Sequence, residues 1–206
     1  MKLIDISMTL NDATPPWPGD EPFRYELTAS MEETGTVNVG THKGSNHIGT
    51  HVDAPFHYDT DGLKMAEIPV ERFMGEALVL NMEGKKTITR KDLEAFEFEG
   101  VSKLLFRSTS WEDRTQFPES YTFIGEDVGP YLKEQGIDLI GVDTPSVDPE
   151  TSKTLSAHHS LYNSDVLILE SIVLDHVAPG RYELMAFPLK MDQADGSPVR
   201  AVLRQI

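Results

Sequence analysis

Residues 46–58 read NHIGTHVDAPFHY, and this run restricts the fold more than any other stretch of the chain. A helix is disfavoured there. Gly49, Thr50, Val52 and Pro55 are poor helix formers, and an interior proline costs about 3 kcal/mol. An extended backbone places alternate residues on one side, so His47, Gly49, His51 and Asp53 are expected to share a face opposite Ile48, Thr50 and Val52. The glycine is expected to leave room between the imidazoles and the carboxylate, and Pro55 to stiffen the exit toward His57. Two histidines and a carboxylate with an open position suit a catalytic zinc or manganese ion. The plainer alternative is a set of solvated or singly hydrogen-bonded histidines on a polar loop.

A second group lies in SAHHSLYNSDVLILES, where His158 and His159 precede Glu170. Glu170 sits in an apolar run, where an unpaired carboxylate is costly to bury. A cation would offset that cost, as would an arginine partner or a turn toward solvent. Asp143 follows the apolar run IDLIGV, a place where α/β folds carry functional groups, although it could equally fasten a turn. Other chemistries lack their motifs. Without Gly-x-Ser-x-Gly there is no seat for an α/β-hydrolase serine, and without Gly-x-Gly-x-x-Gly or a Walker loop a nucleotide cofactor is unsupported. The DTDG at 59–62 begins like a calcium loop but lacks the remaining ligand positions, so it reads as a turn.

The chain has 206 residues, a length that suits one domain with a single good core. KLIDISMTL alternates with period two and reads as a strand, and the prolines of NDATPPWPGDEP impose an irregular segment after it. FRYELTAS and TVNVGTHK also alternate, as antiparallel strands do. EALVLNM and IDLIGVDTPSV read as buried strands, the second ending in a Pro-containing turn, with KLLFRS, VLILESIVL, YELMAFPLK and VRAVLRQI as further strands, the last two flanking the turn-rich MDQADGSP. Thr89 with Asp92 three residues on marks a helix start at RKDLEAF, and GEDVGPYLKEQG reads as a helix stopped by Gly136. The fold class is mixed α/β, richer in strand than in helix.

The net charge of −16 argues against nucleic acid or an anionic membrane as partner, since both need clustered Lys and Arg. The absence of cysteine removes disulfides, thiolate nucleophiles and cysteine-based zinc fingers, so any metal must sit on His, Asp, Glu or amide oxygen. The N-terminal MKLIDISMTLND resembles neither a signal peptide nor a membrane anchor, and cytoplasmic is the expected compartment.

HIGTHVDAPFH closely resembles the signature of the cyclase-like metal-dependent amidohydrolases, a family that includes bacterial kynurenine formamidases and isatin hydrolases. WPGDEPF, LIGVDTPSVDP, AHHSLY, LDHV and DGSPVRAVLR resemble the formamidase branch, so the likeness spans nearly the whole chain. The resemblance implies a swivelling β/β/α fold with a barrel-like central sheet, a homodimer or larger oligomer, and hydrolysis of N-formyl-L-kynurenine, a small-molecule arylformamide, in tryptophan degradation. It implies two divalent metal ions, zinc or else manganese. One would be held by His47, His51 and Asp53, and the second by Asp53 as a bridge, Glu170 and a histidine of the 158–159 pair. His158 is favoured for its spacing to Glu170, with His159 the alternative. His57 would be the general acid/base and Trp17 would line the substrate pocket. Glu170 departs from isatin hydrolases, which resemble this chain but use an amide there. Hydrolysis of a cyclic amide such as isatin, or metal binding without catalysis, are the competing readings.

Overall fold

The apolar runs at residues 77–80, 104–106, 139–142 and 166–169 leave no polar side to face water, so strands formed there must be covered on both faces. A computed structural model, which describes residues 2–206, has this arrangement. In chain order it begins with β1 (Leu3–Asp5), then β2 (Arg24–Ala29), α1 (Met31–Thr34), β3 (Val39–Lys43) and β4 (His51–Asp53). Next come β5 (Met74–Asn81), β6 (Thr87–Ile88), α2 (Arg90–Leu93), β7 (Lys103–Arg107), β8 (Phe123–Ile124) and α3 (Val128–Glu134). β9 (Leu139–Val142), α4 (Ser156–Asn163), β10 (Leu167–Glu170), β11 (Gly180–Met185), β12 (Gly196–Pro198) and β13 (Val202–Gln205) follow.

Nine strands form one curled half-barrel sheet in the order β1-β13-β11-β5-β7-β9-β10-β4-β12. Strands β5, β7, β9 and β10 run parallel, and crossovers carrying α2, α3 and α4 connect them. Both flanks are antiparallel. Alternate side chains of the parallel strands divide between two cores. Leu105, Leu139, Leu167 and Leu169 pack with Ile6, Val52 and Phe73. Leu104, Phe106, Ile140, Val142 and Ile168 pack with Leu93, Val128, Leu132, Ala157 and Leu161 of the helices. The expected strand-rich β/β/α architecture with a barrel-like sheet is the one the chain adopts.

Several local expectations change. The strand read over 2–10 is paired only at Leu3–Asp5; beyond it, Ile6 N–H donates to the Ala201 carbonyl and Met8 N–H to Thr50 Oγ1, so the segment is fastened but leaves the ladder. Strands β2 and β3 pair antiparallel as their alternation indicates, but as a ribbon separate from the main sheet. Thr89 and Asp92 open α2, both the backbone N–H and the hydroxyl of Thr89 donating to the Asp92 carboxylate. Gly136, at φ 74°, follows the end of α3.

Helix α4 was not read from the sequence, and its start explains why. Leu155 precedes it in a left-handed conformation with no capping side chain. The first-turn N–H groups of Ala157 and His158 donate instead to Asp148, at 3.1 and 3.0 Å. A cap supplied from outside the helix leaves no local signature.

Strand β7 carries a buried charge away from the carboxyl ends of the strands. Lys103 of β7 is 1% exposed and pairs with Asp138 ahead of β9, which also meets Arg72 at 3.4 Å. Removing one partner of a buried pair leaves an uncompensated charge, so Asp138→Ala is expected to lower unfolding free energy by about 3 kcal/mol. Urea denaturation measures this, and a loss below about 1 kcal/mol would show that Lys103 is satisfied without Asp138.

Candidate metal centre

The site is built on β4. His51 and Asp53 are two residues apart on one face of this strand, and the register sets Glu170, the last residue of β10, opposite His51. Val52 points the other way into the core. The extended reading therefore holds for His51 and Asp53 but stops at Gly49, whose φ of +63° turns the chain and brings His47 in by another route. Gly49 does not make room for the cluster, since a Cβ there would meet Leu10 Cδ2 at 2.6 Å. The glycine that gives room is Gly196 of β12, where a Cβ would lie 2.8 Å from the His47 ring. Thr50 fastens the strand by donating to the Ser171 carbonyl at 2.6 Å while accepting from Met8 N–H. Pro55 starts a 3-10 turn over Pro55–His57, where its fixed φ suits the first position, and that turn delivers His57.

Asp53 lies at the centre, 1% exposed. Its Oδ1 accepts from His47 Nδ1 at 2.9 Å and is 3.4 Å from His51 Nε2, while Oδ2 is 3.5 Å from His158 Nε2. Glu170 Oε2 is 3.4 Å from His51 Nε2 and its Oε1 is 3.8 Å from His158 Nε2, accepting also from Val147 N–H. His159 is not part of the clusters that could hold an ion among the described residues; His158 is.

Each of the three inner histidines is tied at its outer nitrogen. His51 Nδ1 donates to the Gly49 carbonyl at 2.8 Å, His158 Nδ1 to Asp148 at 2.7 Å, and His47 Nε2 to Asp195 at 3.0 Å. The other nitrogen of each then faces Asp53 or Glu170. Outer acceptors of this kind fix ring orientation at metal sites. His51 Nε2 and Asp53 Oδ2 are buried with no hydrogen-bond partner, which folded chains avoid unless something else satisfies the atoms. Imidazole and carboxylate donors converging on orphaned atoms fit a divalent cation, and His47, His51, Asp53, His158 and Glu170 could hold it.

Beside the cluster is a cavity of about 480 Å³ lined by His47, His51, His57 and His158 and, further out, by Trp17, Trp111 and Phe117. The His57 ring lies 3.9 Å from that of His47, and its Nδ1 is 3.8 Å from Asp195. Trp17 stands edge-on to Phe117 at 5.3 Å. Asp143 is outside this group. It accepts from Ser108 N–H, Ser108 Oγ and Thr109 N–H, so it holds a turn, and burial pushes its carboxyl up. Asp148 and Asp195 were missed by sequence reasoning; the only available signal was an acid in the stretches VDP and ADG, which read as turns.

A curled β/β/α sheet with three histidines and two carboxylates converging beside an aromatic-walled cavity makes a fold whose centre is suited to a divalent metal ion. Comparison with known proteins agrees. Residues 4–149 match the putative cyclase family. The chain is 49% identical over 205 residues to the kynurenine formamidase of Bacillus anthracis, covering 100% of this chain and 98% of that one. It is 50% identical over 203 residues to that of Bacillus thuringiensis (strain Al Hakam), covering 98% and 97%. Isatin hydrolase A from Labrenzia aggregata, bound to benzyl benzoate, shares the fold at 23% identity with a TM-score of 0.85, covering 98% of this chain and 93% of that one. The chain belongs to the putative cyclase family, among its kynurenine formamidases.

The histidines are strongly coupled to their carboxylates. Burial lowers their proton affinity, but the carboxylates beside them outweigh it: Asp195 and Asp53 raise His47 to about 9, Asp53 and Glu170 raise His51 to about 10, and Asp148 and Asp53 raise His158 to about 10. A pKa raised on folding stabilises the metal-free protein fully below the unfolded value of about 6.5, and this is lost as pH rises through about 9 to 10. A metal needs the same nitrogens unprotonated, so its affinity rises with pH. The Tm difference between metal-loaded and chelated protein is therefore expected to widen from pH 6.5 to 9, as measured by thermal melts; a constant difference would exclude these imidazoles as ligands. Asp148→Ala and Asp195→Ala are each expected to weaken metal binding about 10- to 100-fold by titration.

Proposed function

We propose that the protein is an arylformamidase that hydrolyses N-formyl-L-kynurenine to L-kynurenine and formate in tryptophan degradation. The observation that carries this reading is the near-half identity, over essentially the whole chain, to the two Bacillus kynurenine formamidases. Isatin hydrolases share the fold at lower identity, and a cyclic amide could use the same centre, so isatin is the competing substrate.

In this reading His47, His51 and Asp53 would hold one divalent ion, and His158, Glu170 and Asp53 would hold another. Zinc suits these ligands, with manganese the alternative. Support comes from the two oxygens of Asp53, one facing His47 and His51 and the other His158. Bound ions supply a water acidic enough to ionise near neutral pH and polarise the carbonyl. His57 takes the proton released as water attacks the formyl carbon, then delivers a proton to the aryl nitrogen as the C–N bond breaks. Its side chain is 35% exposed at the cavity, within reach of substrate, and Asp195 lies beside its Nδ1. Trp17 offers a wall for the aryl ring.

A homodimer or larger assembly belongs to the same proposal. It is supported by Tyr25, Leu27 and Val39, exposed apolar residues on the β2–β3 ribbon, a two-stranded unit that is marginal alone. A cytoplasmic location is proposed as well; no helix among the described residues is long and apolar enough to cross a membrane.

Release of formate and kynurenine, before chelation, after it, and after adding back zinc or manganese, tests the function. Activity is expected to vanish with the metal and return with it. Hydrolysis of isatin in place of the formamide would move the substrate, and bound metal with no hydrolysis would leave a binding protein. His57→Ala is expected to lower kcat about 10²- to 10⁴-fold with metal content unchanged, whereas Asp53→Ala should lose both. Trp17→Ala is expected to raise KM about 2- to 12-fold; an unchanged KM would mean that it only packs against Phe117.

A further inference from the structure

The cavity has a charged rim that the chemistry at the metal centre does not use. Among its lining residues Lys153 is the one cationic side chain other than the histidines. Three of the lining residues are acids. Glu170 belongs to the metal centre and Asp20 accepts from Ser45 Oγ at 2.8 Å, which leaves Glu150. Glu150 and Lys153 are exposed and neither hydrogen-bonds or ion-pairs with the other or with any other described residue. Opposite charges three residues apart in a chain of net charge −16 would be expected to meet.

Their loop is built. Ser152 N–H donates to the Pro149 carbonyl at 2.8 Å and Leu155 N–H to Ser152 Oγ at 3.1 Å. Leu155 is held at φ 46°, a left-handed conformation that costs about 1–3 kcal/mol and persists only where the surroundings impose it. Asp148 anchors the loop on one side through its bonds to α4 and His158. The rim is thereby fixed relative to the metal centre.

We propose that Glu150 and Lys153 receive the amino-acid end of the substrate, the Lys153 ammonium meeting the α-carboxylate and the Glu150 carboxylate the α-ammonium. This rests on the formamidase reading. Separated opposite charges at the mouth of a cavity whose far end holds the metal centre complement a zwitterion carried on an aryl ketone. They offer nothing to isatin, which has no charged end.

The test compares N-formyl-L-kynurenine with 2′-formamidoacetophenone, the same aryl formamide without the amino-acid end, on metal-loaded protein. Lys153→Met and Glu150→Gln are each expected to raise KM for formylkynurenine about 5-fold, the scale of a partly exposed ion pair, with kcat nearly kept. KM for the truncated substrate should stay unchanged, and Lys153→Arg should restore most of the loss. Equal changes for both substrates, or no change for formylkynurenine, would overturn the assignment while leaving the formamidase reading intact. If the unsubstituted protein hydrolyses neither substrate, the formamidase reading falls and this assignment with it.

Discussion

Asp53 is a carboxylate buried to 1% exposure, and much of the surrounding structure answers the cost of placing it there. Removing an ion of this size from water costs several kcal/mol even after relaxation. Burial pushes its carboxyl up, but the imidazoles of His158, His47 and His51, close around it, win and hold it well below the usual range. Those imidazoles cannot serve unless they are aimed, and a ring between two acceptors is aimed. Hence the outer ties to Gly49, Asp148 and Asp195, which turn a buried liability into a fixed constellation.

The sheet supplies the rigidity. Glu170 is the last residue of a parallel strand, and Ser171 then leaves at φ 57°, so the acid stands at the carboxyl end of the strand, the side on which open α/β sheets bind ligands. Strand β4 runs antiparallel between β10 and β12, which brings His51 and Asp53 beside Glu170 and sets Gly196 opposite Asp53. A glycine in that register position is what lets the His47 ring lie against the backbone.

The part of the candidate site that lies within one local stretch was legible. His51 and Asp53 obey the period of two, the apolar runs announce doubly covered strands, and Thr89 with Asp92 announces α2. His47 was found by composition but not by geometry, because a positive φ at Gly49 leaves the same letter in the sequence as a glycine that makes space. Asp148 and Asp195 were invisible for a different reason. Each acts across the fold, ten residues from His158 in one case and 148 from His47 in the other. An acid in a turn-rich stretch looks the same whether it holds the turn, as Asp143 does, or a histidine. Helix α4 went unread because its cap is that same Asp148.

The charge at the centre bears on what can replace its protons. Asp53, Glu170, Asp148 and Asp195 carry a formal charge of −4, and the three inner imidazoles offset −3 of it when protonated. In the metal-free protein, protons stand where cations belong, which is why His47, His51 and His158 hold them to about 9 and 10. A metal that displaced those protons would have to replace their positive charge, since an uncompensated charge at this depth is what the whole arrangement avoids.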